Sequence, residues 1–312
     1  MSERTGQPTV SNEKKGYRDF GTWLRNEFGA RVAKLPVDAG FTCPNRDGTR
    51  GTGGCVYCDG RGSRLRQAGA LPGVTAQLHV AEAKYRSLGF EKFIPYFQTF
   101  TNTHAPLARL EALWDEALGF SPDVVGLAIG TRPDCVPEPV LDALAARCAR
   151  GRVFLELGIQ TAHPATLVRL NRCHSWEASV DAVHRAAARG LLVVAHLILG
   201  LPGETPAMMR ETARALAALP VAAVKIHSLL VIEGTALAAD WRRGAVPLPE
   251  LPTYAGWVAD VLERLPPHVA IQRLAADARR EVLLAPAWAR NKQAVIAAVE
   301  RELARRGARQ GR

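Results

Sequence analysis

Two hydrophobic periods alternate along the chain. Short apolar runs fall near 31–36, 92–99, 124–130, 153–159, 191–199 and 221–229. Between them, near 75–88, 106–118, 137–150, 176–189 and 206–219, stretches rich in Ala and Leu carry apolar residues at helical spacing. Strand-length apolar runs alternating with amphipathic helices predict βα units and a parallel sheet, an α/β architecture. Pro106, Pro137 and Pro206 suit an early helical position, and Gly89, Gly151 and Gly190 suit the end of the preceding helix. Six units rather than eight predict an incomplete (β/α)6 barrel. Each strand runs into a polar loop with Gly or Pro: CPNRDGTRGTGGCVYC, QTFTNTHAP, GTRPDCVP, GIQTAHP, LGLPGE and VIEGT. In such a barrel these loops leave the C-terminal face, where sites are built. After Trp241 the pattern gives way to Pro-rich links, PLPELP and LPPH, and a basic helix. The expected division is a disordered polar tail at 1–16, a partial barrel at 17–240 and a C-terminal extension at 241–312 with the basic helix.

The 47% hydrophobic composition of 312 residues is enough for one full core. The opening MSERTGQPTVSNEKKG has no apolar stretch and no small-residue cleavage site, so a cytoplasmic protein is expected. The most apolar run, 191–201, is interrupted by His196 and falls far short of the roughly 20 residues of a membrane helix. No membrane partner is expected. A net charge of +10 suits a polyanionic partner, although a solvated basic surface accounts for the composition equally well. Placement adds something: from Pro286 to Arg312 there are seven Lys or Arg and two Glu.

Six cysteines, clustered rather than spread in a chain without a secretory signal, point to a metal or redox site more than to disulfides. Eleven residues separate Cys43 from Cys55 and two separate Cys55 from Cys58, across a loop of glycines and turn formers. Three thiolates on a [4Fe-4S] cluster leave one iron free to chelate the amino and carboxylate groups of S-adenosylmethionine (SAM). A zinc site is the alternative, in an RNA-binding protein with a structural metal. Zinc usually takes four ligands, often as two paired knuckles, and here one C-x-x-C pair stands alone. The spacing favours the cluster. No G-x-x-x-x-G-K-[ST] and no G-x-G-x-x-G opening a helix is present, which argues against nucleotide hydrolysis and nicotinamide binding. An electron-transfer ferredoxin would supply four thiolates per cluster. Cys148 falls within a helical stretch and reads as a packed thiol, while Cys135 follows a strand on the loop face.

The run DAGFTCPNRDGTRGTGGCVYC, followed in order by PYFQTFTNT, GTRPDCVP, LELGIQTAH, LNRCHS, HLILGLPGE and KIHSLLVIEGT, resembles the radical SAM proteins of the YhcC/YtqA group. These are relatives of the catalytic subunit of the Elongator complex. The resemblance runs from about Tyr17 to about Asn291. It implies a radical SAM partial barrel in which Cys43, Cys55 and Cys58 hold the cluster and reduction splits SAM into methionine and a 5′-deoxyadenosyl radical. By the same resemblance Tyr57 lies near the SAM adenine and Gln98 and Thr99 meet the methionine amino group. Glu156 and Gln160 point toward ribose or methionine, Arg172 toward the methionine carboxylate, and Gly200, with Gly203 and Glu204, lies against adenine. Cys173 stands where the family pattern has Gly, and His227, at the end of the sixth strand, is expected either at the mouth or in the core.

The resemblance also implies a substrate, tRNA, through the C5 side chain of the wobble uridine, and a cellular electron donor. No counterpart of the Elongator acetyltransferase domain is seen. Radical trimming of an existing substituent, carboxymethylaminomethyl-uridine to aminomethyl-uridine, is therefore expected, and radical SAM chemistry on another substrate is the alternative.

Overall fold

The structure, a computed structural model, describes residues 15–60 and 71–312. Most of the expected polar tail, residues 1–14, lies outside the described residues. From the N-terminus the elements are α1 (Phe20–Phe28), β1 (Val32–Val37), α2 (Val74–Ser87), β2 (Lys92–Phe97), α3 (Leu107–Leu118), β3 (Gly126–Thr131), α4 (Glu138–Ala146) and β4 (Arg152–Gln160). The chain continues through α5 (Pro164–Arg169), α6 (Trp176–Ala187), β5 (Leu192–Leu199), α7 (Pro206–Ala217), β6 (Ala223–Ser228), β7 (Val231–Ile232) and α8 (Ala236–Arg242). It ends with α9 (Leu251–Leu262), β8 (Ala270–Arg273), β9 (Leu283–Ala285) and α10 (Lys292–Arg306).

Seven strands make one parallel sheet in the order β1-β2-β3-β4-β5-β6-β8, and β7 pairs with β9 antiparallel. The six expected strands all form, with ends shifted by at most two residues. The seventh, Ala270–Arg273, comes from the stretch read as an extension and joins the same sheet beside β6. The helix expected over 137–150 stops at Ala146 and tightens into a 3-10 turn over Arg147–Ala149, which carries Cys148.

Side chains alternate across the sheet with period two. Leu35, Phe93, Phe97, Leu127, Ile129, Leu155, Leu157, Val193, Leu197 and Ile226 face outward into the main core beneath the helices. Ile94, Ala128, Phe154, Val194, Ala223 and Ala270 face inward and form a second apolar cluster with Phe20 and Leu24 of α1. Helix α1 is capped by Asp19, whose carboxylate accepts from Thr22 N at 2.9 Å, and ends at Gly29 with φ +68°. Phe20 and Trp23 meet the Phe154 ring edge-on at 5.6 and 6.0 Å, so α1 stoppers the N-terminal end of the barrel. Arg18 O accepts from Ile271 N at 2.7 Å, which fastens this stopper to edge strand β8.

Helix α10 packs on α9 through Val295, Val299 and Leu303. Arg306 is spent internally, donating to Asp260 at 2.6 Å, Glu263 at 3.0 Å and Glu302 at 2.7 Å. Arg301 and Arg305 stay exposed, Arg305 with Glu302 as partner. No described helix is long and apolar enough to cross a membrane.

Candidate active site

The cysteine loop is folded by its own backbone. Cys43 O accepts from Arg46 N and Asp47 N, Pro44 O from Arg50 N and Gly51 N, Asn45 O from Gly54 N, and Cys55 O from Cys58 N at 2.9 Å. Gly54 has φ +77°, and a Cβ there would lie 2.6 Å from the Arg46 guanidinium, which itself donates to Cys58 O at 2.7 Å. Glycine is required at that position by both conformation and space.

A second loop, Leu170–His174, clasps the first. Asn171 donates to Gly54 O at 2.8 Å and Cys173 to Asn45 Oδ1 at 2.9 Å. Cys173 has φ +55°, the left-handed conformation that explains a family preference for Gly there. Arg172, fully enclosed, sets its Nη1 3.2 Å from Cys55 Sγ and 3.3 Å from Tyr57 Oη, and its Nη2 donates to Gly158 O at 2.6 Å. Burial alone would push the Cys55 thiol up, but Arg172, Arg132 and Asn45 outweigh it and hold Cys55 below the usual thiol range. Burial, with Cys55 adding to it, pushes the Cys58 thiol up to about 11. Donors aimed at Cys55 suit a metal-bound thiolate. Among the described residues no three His, Cys, Asp or Glu side chains converge on one ion-sized point. A cubane takes each thiolate on a different iron, and three cysteines of one loop with donors aimed at Cys55 fit that group.

Below the rim the barrel interior carries a charged layer. Glu156, 0% exposed, accepts from Lys34, from His196 Nε2 at 2.8 Å, from Lys225 Nζ at 3.0 Å and from Gln272 Nε2 at 3.0 Å. Burial alone would raise this carboxyl, but Lys225, Lys34 and His196 hold it well below the usual carboxylate range. Burial, opposed by Glu156 but aided by Arg273 and Lys34, lowers Lys225 to about 8. Burial and then Lys225 lower His196 to about 4, so it is neutral at physiological pH.

Above this layer opens a cavity of about 430 Å³. Tyr57, Cys58, Gln98 and Gln160 line its rim; Tyr96, His196 and Lys225 form its floor, with His227 one inward position above Lys225; Arg273 and Ile232 stand on one side. Gln160 has φ +75° just after a bulge between Gly158 and Gln160, a strained turn of the kind that gathers at functional sites. The expected site residues therefore divide. Tyr57, Gln98, Gln160 and Cys58 meet at the cavity, while Arg172 and Cys55 are joined just behind it. Thr99 is buried beside the rim without lining it. Glu156 lies under the floor as a shared counter-ion, not as a free acceptor. Gly200 has φ +84° and faces the helix side of the sheet, where a Cβ would meet the Trp257 ring at 3.3 Å. Cys135, its thiol pushed up to about 12 by burial and Asp134, lines a separate groove of about 840 Å³ with Thr42 and His104. Lys34, His196, Lys225 and Arg273 were not singled out from the sequence. The available signal was one ionisable residue at an inward position of an otherwise apolar strand, as in VAKLPV and AVKIHS.

Comparison with known proteins agrees with this geometry. The profile of the Radical SAM superfamily matches residues 46–216, and that of the Radical_SAM C-terminal domain matches residues 221–305. The chain is 38% identical over 303 residues to the uncharacterized protein YtqA of Bacillus subtilis (strain 168), covering 97% of this chain and 94% of that one. It is 38% identical over 290 residues to the protein YhcC of Escherichia coli (strain K12), covering 92% of each. A shorter stretch, 123 residues covering 38% of this chain and 22% of the other, is 34% identical to the tRNA uridine(34) acetyltransferase of Methanocaldococcus infernus. In fold, the archaeal Elp3 of Methanocaldococcus infernus superposes with a TM-score of 0.68 at 20% identity, over 89% of this chain and 64% of that one. With a three-cysteine loop over the mouth of a curled parallel sheet, this chain belongs to the radical SAM superfamily, in the group of YtqA and YhcC, whose chemistry uses a [4Fe-4S] cluster and SAM.

Proposed function

We propose that this protein is a cytoplasmic tRNA-modifying enzyme that trims the C5 side chain of the wobble uridine, converting carboxymethylaminomethyl-uridine to aminomethyl-uridine. The observation that carries the reading is the likeness, over 123 residues, to a protein named for acetyl transfer to uridine 34 of tRNA. Cys43, Cys55 and Cys58 hold the cluster, and Arg172 backs the Cys55 sulfur. Tyr57, Gln98 and Gln160, at the rim, orient SAM. When bound and reduced by a cellular electron donor, the cluster supplies the 5′-deoxyadenosyl radical from SAM. The chain's own part is to receive one unstacked base at the mouth, since an enzyme acting on a base must take it from its neighbours, and to keep water from the reacting atoms. Exposed Arg301 and Arg305 of α10 offer contacts to phosphates, so binding weakens steeply with salt. Arg306 does not contribute, being held by Asp260 and Glu263.

Mass spectrometry of tRNA nucleosides from a strain lacking the gene tests this directly. Carboxymethylaminomethyl-uridine should accumulate and aminomethyl-uridine and its derivatives should vanish. An unchanged wobble-uridine profile overturns the reading and leaves radical SAM chemistry on another substrate.

A further inference from the structure

The floor of the cavity holds more positive than negative charge. Lys34 and Lys225 share the single carboxylate of Glu156, which also accepts from His196 and Gln272. Arg273, beside Lys225 in the β6–β8 register, lines the cavity, and its partner Asp277 at 2.7 Å is half exposed and is also 3.8 Å from Lys292. Three cations thus face two carboxylates, of which Asp277, half exposed, also lines the cavity. Nε2 of His227, on the cavity lining, is buried and has no hydrogen-bond partner among the described residues. A buried imidazole nitrogen without a partner, beside two lysines that share one carboxylate, is costly unless a ligand completes it.

We infer that the floor is a binding site for a carboxylate of the substrate, held between Lys225, Arg273 and His227 Nε2. Depth selects the group. α1 closes the barrel below, so only a terminal group can reach the floor, and a phosphodiester, with chain on both sides, cannot. A planar carboxylate meets the fork of Arg273 with two oxygens. The methionine carboxylate of SAM is the other source of this chemistry. Lys225 pairs across the sheet with His196, and His196 with Gly158, one inward position below the rim residue Gln160. That places Lys225 beneath the rim, where SAM is assigned, with His227, paired with Ile198, reaching the level of the rim. Identifying the anion with the carboxymethyl end of the uridine side chain rests on the function proposed above; the anion site itself does not. An aminomethyl product has lost the carboxylate and keeps only the ammonium, which the same cations repel, and this favours its release.

The test uses cluster-loaded protein with SAM and measures Kd for 5-carboxymethylaminomethyluridine, its neutral carboxamide and 5-aminomethyluridine. Wild type should bind the acid at least tenfold more tightly than the other two. Arg273→Gln and Lys225→Gln should each bring the ratio near unity, with iron content and SAM Kd unchanged. Equal binding of acid and amide, or a preference that survives both substitutions, overturns the site. A loss of SAM affinity with the acid preference intact assigns the cations to SAM and overturns it as well. His227→Phe, which leaves every ion pair in place, guards against variants that fail to fold and should weaken acid binding at least threefold; unchanged binding counts against the site. If no nucleoside binds, the uridine reading fails and acetate decides the anion site alone. Acetate, but not acetamide at equal ionic strength, must then raise the melting temperature of wild type and not of Arg273→Gln, and the absence of that difference overturns the inference.

Discussion

The rim and the floor of the cavity solve opposite electrostatic problems. At the rim one enclosed guanidinium, Arg172, is set against Cys55, which gains its negative charge only by giving up a proton. At the floor Glu156 is already negative, and cations outnumber it. The scaffolds differ too. The rim is loop, bent through left-handed residues at Gly54, Gln160 and Cys173, whereas the floor stands on the middle of five strands. Loops can be shaped around a large inorganic group, and strand interiors hold a charge pattern still while ligands come and go. The floor is thus the fixed reference of the site and the rim is its adaptable part.

The sharpest way to break the rim is Cys55→Ala, which should abolish cluster binding in an iron and sulfide assay, while Cys148→Ala, remote from the loop, keeps full content. The floor breaks through stability rather than loading. Glu156→Ala strands two buried ammonium groups and should cost about 3–5 kcal/mol in a denaturant titration, most of it regained in the double variant with Lys34→Met. Arg172→Leu removes the charge behind Cys55. Loss of iron to a chelator should then be about tenfold faster, with Arg172→Lys in between. A pH series separates the two regions. Lys225, faced by Glu156, Lys34, His196, His227, Tyr96 and Arg273, is lowered to about 8 and is charged only below that value. Preference for a carboxylate ligand should therefore fall as pH rises through about 8, while iron content holds. The smallest effect is expected at Cys173→Gly, which relieves a left-handed residue and should raise stability by roughly 1 kcal/mol if the Asn45 contact contributes little.

Much of this was legible because the outer faces of the strands are continuous and apolar: Val153, Leu155, Leu157 and Ile159 announce β4 without help from context. The seventh strand was not, since Ala270–Arg273 is four residues long and too short to display a period. Helix α1 mixes Trp and Phe with charged residues over nine positions, and only its caps, Asp19 and Gly29, mark it. Within the site, motifs drew attention to the cysteines and to Tyr57, Gln98 and Gln160, and Tyr57, Cys58, Gln98 and Gln160 meet at one cavity. Glu156 was expected to point toward ribose or methionine by resemblance to the radical SAM proteins. What decides its role is Lys34, 122 positions away, which no local pattern reveals. Arg172 was placed near the right chemistry, but its partner is a cysteine sulfur, a pairing made by the clasp between two distant loops.

The stopper at the base of the barrel has a kinetic consequence. With Phe20, Trp23 and Leu24 filling the far end, the described residues close the barrel below the cavity, which opens at the rim. A macromolecule that caps the doorway while its base is inside also traps every small molecule beneath it, so SAM and its fragments exchange only between visits of the larger partner.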